Sequence, residues 1–242
     1  MALEKKRLNK LLVFRLILAW TFWTLFFFPL LFLPRRLQFG IFWRIFSSLF
    51  LWANKVRVRY TSDIDINNLK EPVIFSPNHK AYFDAHSIAR LLKKPFSIVY
   101  NATMDKNIFY RIVARKMGMV PIKRETHFSQ KNSFEKVYKL LKKRYSIIMF
   151  PEGWHIEGDE IAKFRRGIAK IAKDTKVSVM PMAIYGVDDS LRYAKKLTWK
   201  TVYIKTSAPI KYEDYNDDKL FLEDPRRRVV ELYNSLKNEY KN

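Results

Sequence analysis

A histidine and an aspartate stand five positions apart in the stretch SPNHKAYFDAHS, residues 76 to 87. These types suit acid–base chemistry, because an aspartate that accepts from one imidazole nitrogen fixes the tautomer and leaves the other nitrogen as a general base. Five residues of α-helix turn a side chain by roughly 140°, so His79 and Asp84 diverge if both are helical. They meet only if His79 lies in a loop and Asp84 in or near the first helical turn. The alternative is that Asn78 or Asp84 caps the helix and His79 is a solvated loop residue.

Three further stretches carry polar or unusual residues at strand ends and turns. GMVPIKR, residues 118 to 124, ends an apolar strand with the cations Lys123 and Arg124. FPEGWH, residues 150 to 155, presents a carboxylate after a buried strand, and KFRRG follows at residues 163 to 167. VSVMPMAI contains Pro181 inside a strand, which is unfavourable unless the proline lies at an edge or a bulge.

In this order the four blocks resemble those of the glycerolipid acyltransferase family, the lysophosphatidic acid acyltransferases and their relatives. The family's blocks read NHxxxxD, GxxxIxR, FPEGTRS followed by KFKxG, and a strand similar to VPVxPVAI. The chain has NHKAYFD, GMVPIKR, FPEGWH with KFRRG, and VSVMPMAI, across residues 70 to 185. The ordered combination is specific, although each block alone is not. One departure is that Trp154, His155 and Ile156 replace the family's Thr-Arg-Ser, so the identity of the acceptor is the least determined part of the resemblance.

The resemblance implies transfer of a fatty acyl group from a thioester to a hydroxyl of a phosphorylated glycerol lipid. By position, His79 is then the general base and Asp84 its orienting partner, and no covalent acyl-enzyme, cofactor or metal is required. Arg124, with Lys123 beside it, is expected to bind the acceptor phosphate, because a planar guanidinium matches phosphate oxygens bidentately. The expected product is phosphatidic acid, made from lysophosphatidic acid.

The other candidate residues have less defined roles. By the resemblance, Glu152 and Gly153 line the glycerol site. Attack on a thioester builds an oxyanion that needs a positioned donor, for which Lys106 or a backbone amide near the histidine is a candidate. Lys163 and Arg165 either hold a second phosphate or meet lipid headgroups.

Residues 56–242 alternate short apolar runs with amphipathic stretches. The predicted strands lie at 72–76, 96–100, 146–150, 178–184 and 201–205, and the predicted helices at 84–93, 107–117, 129–144, 164–174 and 225–240. This alternation predicts an α/β fold, a largely parallel mixed sheet flanked by helices, with active groups at the strand ends.

Residues 1–55 differ in composition and predict a separate membrane-binding segment. LLVFRLILAWTFWTLFFFPLLFLP, residues 11 to 34, is nearly long enough to span a bilayer, and its only charge is Arg15. LQFGIFWRIFSSLFLWANKV, which follows, is more interrupted and fits an amphipathic or re-entrant helix. We therefore predict a two-helix hairpin at the cytoplasmic face of a membrane. The alternative is a pair of core helices in a soluble protein.

The charge balance indicates anionic partners. The formal net charge is +23, and cysteine is absent, which excludes disulfides and thiolate chemistry. The partners expected from the resemblance are acyl-CoA or acyl-carrier protein, lysophosphatidic acid and an anionic membrane surface. Nucleic acid is not expected, since the cations are spread along the chain and no zinc-ligand set or aromatic RNA-binding signature is present. The first alternative function is an acyltransferase that acts on another lysophospholipid or a glycolipid. The second is a non-catalytic protein that binds a membrane surface, or nucleic acid, through its basic charge.

Overall fold

A seven-stranded sheet with helices on both faces forms the centre of the computed structural model. The structure describes residues 14, 17, 18, 21, 43–123, 126–154, 158–186 and 198–240. The strands are β1 (Val56–Tyr60), β2 (Ile74–Pro77), β3 (Phe96–Asn101), β4 (Val120–Ile122), β5 (Ser146–Met149), β6 (Val179–Tyr185) and β7 (Lys200–Thr206). Their order is β1-β7-β6-β2-β5-β3-β4. Neighbouring strands run parallel except β6 and β7, which are antiparallel.

Two helical layers cover the sheet. The helices are α1 (Trp43–Ala53), α2 (Asp84–Leu91), α3 (Ile108–Lys116), α4 (His127–Lys142), α5 (Gly167–Thr175) and α6 (Asp218–Tyr240), with 3₁₀ turns at Ala102–Lys106 and Tyr212–Asp214. Buried residues of α1 and α2, and the residues that close α3, share one apolar cluster with one face of the sheet. Buried residues of α4, α5 and α6 form clusters on the other face. Because most neighbouring strands are parallel, the loops that follow them lie at the same edge of the sheet, where a functional site is expected.

The α/β fold predicted from the sequence is confirmed. Buried parallel strands read as continuous apolar runs, which made them visible in the sequence. Strand β1 was missed, because VRVRY alternates valines with arginines. Among the described strands it lies at the edge of the sheet and pairs with β7 alone.

Pro181 lies in the central strand β6, yet its missing N–H costs no ladder bond. The β6–β7 register begins at Met182 paired with Thr206, and pairing resumes only at a bridge between Val179 and Ile210. The Pro181 carbonyl accepts from Ser207 N–H at 3.1 Å on this side, so the proline nitrogen faces the interruption. The interruption serves as the bulge that a strand proline requires.

The predicted membrane hairpin lies largely outside the described residues. Its second segment includes α1, which buries Trp43, Phe46, Phe50 and Leu51 against the domain. Within the described ranges, no helix combines the length and apolarity needed to cross a bilayer. The boundary between residues 1–55 and 56–242 stays a prediction.

Candidate active site

His79 and Asp84 are in direct contact. His79 lies in the loop after β2 and Asp84 is the first residue of α2, and His79 Nδ1 is 2.9 Å from Asp84 Oδ2. The same carboxylate oxygen accepts the backbone N–H groups of Lys80 at 2.7 Å and Ala81 at 2.8 Å. The side chain of Asp84 is 1% exposed. A buried carboxylate held by several donors is fixed in place and fixes its histidine in turn.

The imidazole of His79 also has an apolar support. Its ring stacks on Phe150, with centroids 3.9 Å apart and an interplanar angle of 23°. The side chain of His79 is 17% exposed. One ring face is thus covered, while the histidine still reaches the cavity described below.

Asn78 ties the histidine loop to the sheet. It is fully buried, its Nδ2 donates to Ile184 O at 3.0 Å, and its Oδ1 accepts from Ile184 N–H at 2.7 Å. Ile184 belongs to β6, the neighbour of β2. The side-chain amide therefore continues the sheet pairing beyond the end of β2 and positions the next residue.

Glu152 lies beneath the histidine loop. It is 2% exposed, its Oε1 accepts from His79 N–H at 2.8 Å, and its Oε2 accepts from Ala162 N–H at 2.8 Å. Burial raises the pKa of this carboxyl, and the two backbone hydrogen bonds act in the opposite direction. Both carboxylate oxygens accept backbone N–H groups, so Glu152 connects the loop that contains His79 to the loop that contains Ala162.

Lys80 and the C-terminal helix fix the loop of residues 158–162. Lys80 is 5% exposed, and burial lowers the pKa of its amine. Its Nζ donates to Glu160 O and lies 5.7 Å from the ring centre of Tyr233. In α6, Arg226 donates to Ala162 O at 3.0 Å and to Ile161 O at 2.6 Å. Sequence reasoning missed these residues, because a lysine in a polar stretch and an arginine in an amphipathic helix both resemble solvated cations.

An apolar cavity of about 540 Å³ begins at His79. Its walls are formed by the strand ends and by the helical layer that contains α1, α2 and α3. The lining residues include Trp43, Phe46, Tyr82, His86, Ile98, Tyr100, Met104, Tyr110, Val113, Ala114, Met117, Met119, Ile122, Met149, Phe150, Gly153 and Trp154. The volume and the apolar lining are typical of a site for a hydrophobic ligand.

His86 is a second histidine on this cavity. Its Nδ1 is 3.3 Å from Ser47 Oγ, and rings of Trp43, Phe46 and Phe50 surround it. Burial lowers the pKa of His86 to about 4, so the ring is neutral at physiological pH. It joins α2 to α1 and forms part of the cavity wall.

The remaining predicted residues are distributed around this centre. Lys123 is exposed, and its backbone N–H donates to Ser133 Oγ at 3.2 Å. Lys106 is exposed at the end of its 3₁₀ turn, and Lys163 is also exposed. None of the three is among the described residues that line the cavity. Arg124 and His155 fall outside the described residues.

Arg165 contacts a residue that lines the cavity. Its guanidinium carbon is 4.5 Å from the ring centre of Trp154, which lines the cavity, and its Nε donates to Glu152 O at 3.1 Å. Gly153 also lines the cavity, whereas Glu152 is absent from its described lining. A stacked and hydrogen-bonded guanidinium is held in a defined orientation.

Three consecutive backbone amides, from His79 to Ala81, already donate hydrogen bonds to carboxylates. The N–H of His79 donates to Glu152, and those of Lys80 and Ala81 donate to Asp84. In this geometry they are not available to a developing oxyanion, although the sequence suggested an amide in this region as one candidate.

The fold and the site together define an α/β protein that holds a histidine–aspartate pair beside an apolar cavity at the carboxyl ends of parallel strands. A family model described as Acyltransferase matches residues 55–185, more than half of the chain. The chain belongs to this acyltransferase family.

Two curated relatives agree with this assignment. The chain is 26% identical over 161 residues to the chloroplastic 1-acyl-sn-glycerol-3-phosphate acyltransferase LPAT1 of Arabidopsis thaliana, covering 66% of this chain and 44% of the relative. It is 28% identical over 154 residues to the 1-acyl-sn-glycerol-3-phosphate acyltransferase of Borreliella burgdorferi, covering 64% of this chain and 61% of the relative. The matched regions thus span less than two thirds of these two relatives.

The crystal structure of the 1-acyl-sn-glycerophosphate acyltransferase PlsC from Thermotoga maritima has the same fold. The TM-score is 0.74 at 18% identity, and the alignment covers 95% of this chain and 96% of that chain.

Proposed function

We propose that this protein transfers a fatty acyl group from an acyl thioester to the free hydroxyl of lysophosphatidic acid, giving phosphatidic acid at a membrane surface. The single observation that carries the proposal is the His79–Asp84 contact of 2.9 Å at the opening of an apolar cavity of about 540 Å³. The names of the curated relatives support the same acceptor. The donor is acyl-CoA or acyl-carrier protein.

His79 is proposed as the general base. With its Nδ1–H donated to Asp84, the lone pair is on Nε2, which takes the proton from the acceptor hydroxyl as the oxygen attacks the thioester carbonyl. The carbon–sulfur bond of the resulting tetrahedral intermediate then breaks, and the imidazolium returns the proton to the departing thiolate. The acyl group passes directly between substrates, so no nucleophilic side chain is needed.

Glu152 is proposed as a positioning residue for this base. Its carboxylate accepts the backbone N–H of His79. The next residue, Gly153, lines the cavity and is the residue proposed to border the glycerol group. The expectation that Glu152 lines the glycerol site stays a prediction beside this positioning role.

The acceptor phosphate is proposed to bind at the cationic rim. Arg165 beside Trp154 is held in orientation there, and Arg124 and Lys123 are the cations expected from the sequence. Arg165 would supply the guanidinium that the family places two positions after the Pro-Glu-Gly glycine, where this chain has His155. Lys163 remains a candidate for a lipid headgroup, and Lys106 for the oxyanion.

The test is acyl transfer by the full chain and by H79A. With labelled acyl thioester and lysophosphatidic acid, we expect the variant to lose at least about 100-fold in kcat with a smaller change in KM, the scale of a lost general base. Circular dichroism and vesicle association should match those of the unaltered chain. If folded, membrane-associated H79A esterifies the acceptor at the original rate, the catalytic proposal is wrong.

A second acceptor class is the competing proposal, because Trp154 adds an aromatic wall at the rim. Lysophosphatidylglycerol, lysophosphatidylcholine and a glycolipid should be offered in parallel. A higher kcat/KM for any of these than for lysophosphatidic acid would keep the acyl transfer and replace the acceptor.

A further inference from the structure

Helix α3 carries apolar side chains on two sides. Val113, Ala114 and Met117, the residue that caps it, face the cavity and the core. Ile108 and Ile112, four positions apart and therefore on one stripe, are 61% and 49% exposed. Surface helices of soluble proteins are usually polar on the side away from the core. The outward side of α3 thus has an unusual composition.

The 3₁₀ turn before α3 extends the same character. Met104 in this turn is 44% exposed and also lines the cavity. Lys106, Arg115 and Lys116 are exposed in the same segment. Its carboxylate, Asp105, accepts from Tyr100 OH at 2.7 Å and from Arg115 Nη2 at 3.2 Å. The segment Ala102–Lys116 therefore combines exposed apolar residues with a surplus of cations, which is typical of elements that lie in a membrane interface.

A basic groove adjoins the end of α3. Its volume is about 730 Å³, and its charged lining residues, among those described, are Arg115, Lys136, Lys139 and Lys143, with no carboxylate. The three lysines recur at spacings of three and four, so they lie along one side of α4 and its C-cap. Such a groove matches the phosphates of anionic lipid headgroups in charge.

The apolar exposure is concentrated on one helical layer. In the layer of α1 to α3, Ile45, Leu49 and Trp52 are 43%, 39% and 66% exposed, in addition to the residues above. In the opposite layer, the large apolar side chains exposed on the described parts of α4, α5 and α6 are Phe128 and Leu220. The two exposed regions are neighbours, since Trp43 Nε1 at the start of α1 donates to Met117 O at 3.4 Å.

We propose that the segment Ala102–Lys116, together with the basic groove, is a membrane-docking surface additional to the N-terminal segment predicted from the sequence, and that its partner is a bilayer containing anionic phospholipid. Asn101, Thr103, Met104 and Tyr110 line the cavity, so a docked segment brings the bilayer to the cavity wall and lets a lipid chain enter without crossing water. A second copy of the chain fits less well, because a two-fold contact would place these cations opposite each other. The inference rests on the proposed function, in which the acceptor is a lipid.

The first experiment places a reporter on α3. Because the chain contains no cysteine, a single I112C substitution can be labelled without background using an environment-sensitive fluorophore. L220C is the matched control, an aliphatic residue of similar exposure on the opposite layer. On vesicles of phosphatidylcholine and phosphatidylglycerol, we expect a blue shift and quenching by nitroxide-labelled lipid at position 112 and neither at position 220.

The second experiment removes the apolar stripe. Against the same vesicles, I108N/I112N should bind at least about tenfold more weakly than the unaltered chain or L220N. It should esterify vesicle-embedded lysophosphatidic acid more slowly but a monomeric short-chain acceptor at the original rate. K139Q/K143Q should weaken binding to anionic vesicles and leave binding to pure phosphatidylcholine vesicles unchanged.

Several results would overturn the inference. One is a label at position 112 that stays as water-exposed as the one at position 220 while the protein is vesicle-bound. Another is a concentration-dependent blue shift without vesicles, which would identify a second copy as the partner. Equal vesicle affinity for I108N/I112N and L220N would also contradict it. Fluorescence and binding need no turnover, so an inactive unaltered chain would refute the proposed function without affecting this test.

Discussion

At the scale of single residues, the site depends on carboxylates that accept from the backbone. Asp84 holds the amides of Lys80 and Ala81 as well as the imidazole of His79, and Glu152 holds the amides of His79 and Ala162. A carboxylate suits this task because it only accepts, through two oxygens. An amide of the same shape cannot replace it at both oxygens.

E152Q should therefore destabilise the protein. In this variant, one of the two backbone N–H groups that Glu152 binds would face the NH₂ of the glutamine, so a buried donor would lack an acceptor. The loss lowers the free energy of unfolding by about 1–3 kcal/mol. Denaturant unfolding at neutral pH would measure the loss. E160Q is the control, because the Glu160 side chain is exposed and the hydrogen bond that Glu160 accepts from Lys80 is made by its backbone carbonyl. Equal midpoints for the two variants would contradict the interpretation of Glu152.

His86 should make stability depend on acidity. Its folded pKa is lowered to about 4 from 6.5, so between these values the unfolded chain binds a proton that the folded chain does not. Stability attributable to this residue is complete above pH 6.5 and is lost as the pH falls, by about 3 kcal/mol in all. Unfolding free energies measured from pH 7 to pH 4 should fall more steeply for the unaltered chain than for H86Q. Parallel curves would exclude this role.

At the scale of elements, α6 acts on the site from outside the region that the family model covers. Arg226 holds the carbonyls of Ile161 and Ala162, and the hydroxyl of Tyr233 donates to Asp159 at 2.9 Å. The same loop carries the amide bound by Glu152 and the carbonyl bound by Lys80. The helix thus stabilises the loop that supports the histidine.

R226M should lower kcat by about tenfold, because two charge-assisted hydrogen bonds to a supporting loop are lost while the packing of the side-chain stem is kept. R227M is the matched control: Arg227 is exposed and pairs with Asp224 and Glu231 within the same helix. Hydrogen exchange at the Ala162 amide should accelerate only in R226M. A comparable loss of activity in R227M would indicate a general effect on the helix.

The elements were largely predictable, and their contacts were not. Buried strands and amphipathic helices leave periodic signals, so the alternation could be derived from local sequence. Local sequence left the His79–Asp84 contact open beside the capping alternative, and the resemblance to the family favoured the contact. The burial of Lys80 depends on Glu160 and Tyr233, which lie 80 or more positions away, and no local pattern reports that. The orientation of Arg165 likewise depends on stacking against the ring of Trp154.

At the scale of the whole molecule, the cavity exists only because the helical layer of α1 to α3 closes over the ends of β3, β4 and β5. Residues from each of these elements line it. Its depth is therefore a property of the packed layers, and it sets an upper limit on the hydrophobic chain that fits.

A114W should shift the preferred donor toward shorter acyl chains. Ala114 is 2% exposed and lines the cavity, so an indole at this position occupies volume that the chain would use. Competition among acyl thioesters of different length would measure the preference. A208W is the control, since Ala208 is exposed and lies outside the described lining. If A114W gives the same ratio of long-chain to short-chain products as the unaltered protein, the acyl chain does not occupy this cavity.

The amide bridge between Asn78 and Ile184 has a consequence for biosynthesis. The two residues are 106 positions apart, and the bridge fixes the backbone immediately before His79. At roughly 5–20 residues per second, a ribosome needs about 5–20 s to extend the nascent chain from one to the other. During that interval the histidine loop has been translated but lacks β6, the strand to which Asn78 binds. We therefore expect catalytic competence to arise late, after most of the polypeptide has left the exit tunnel.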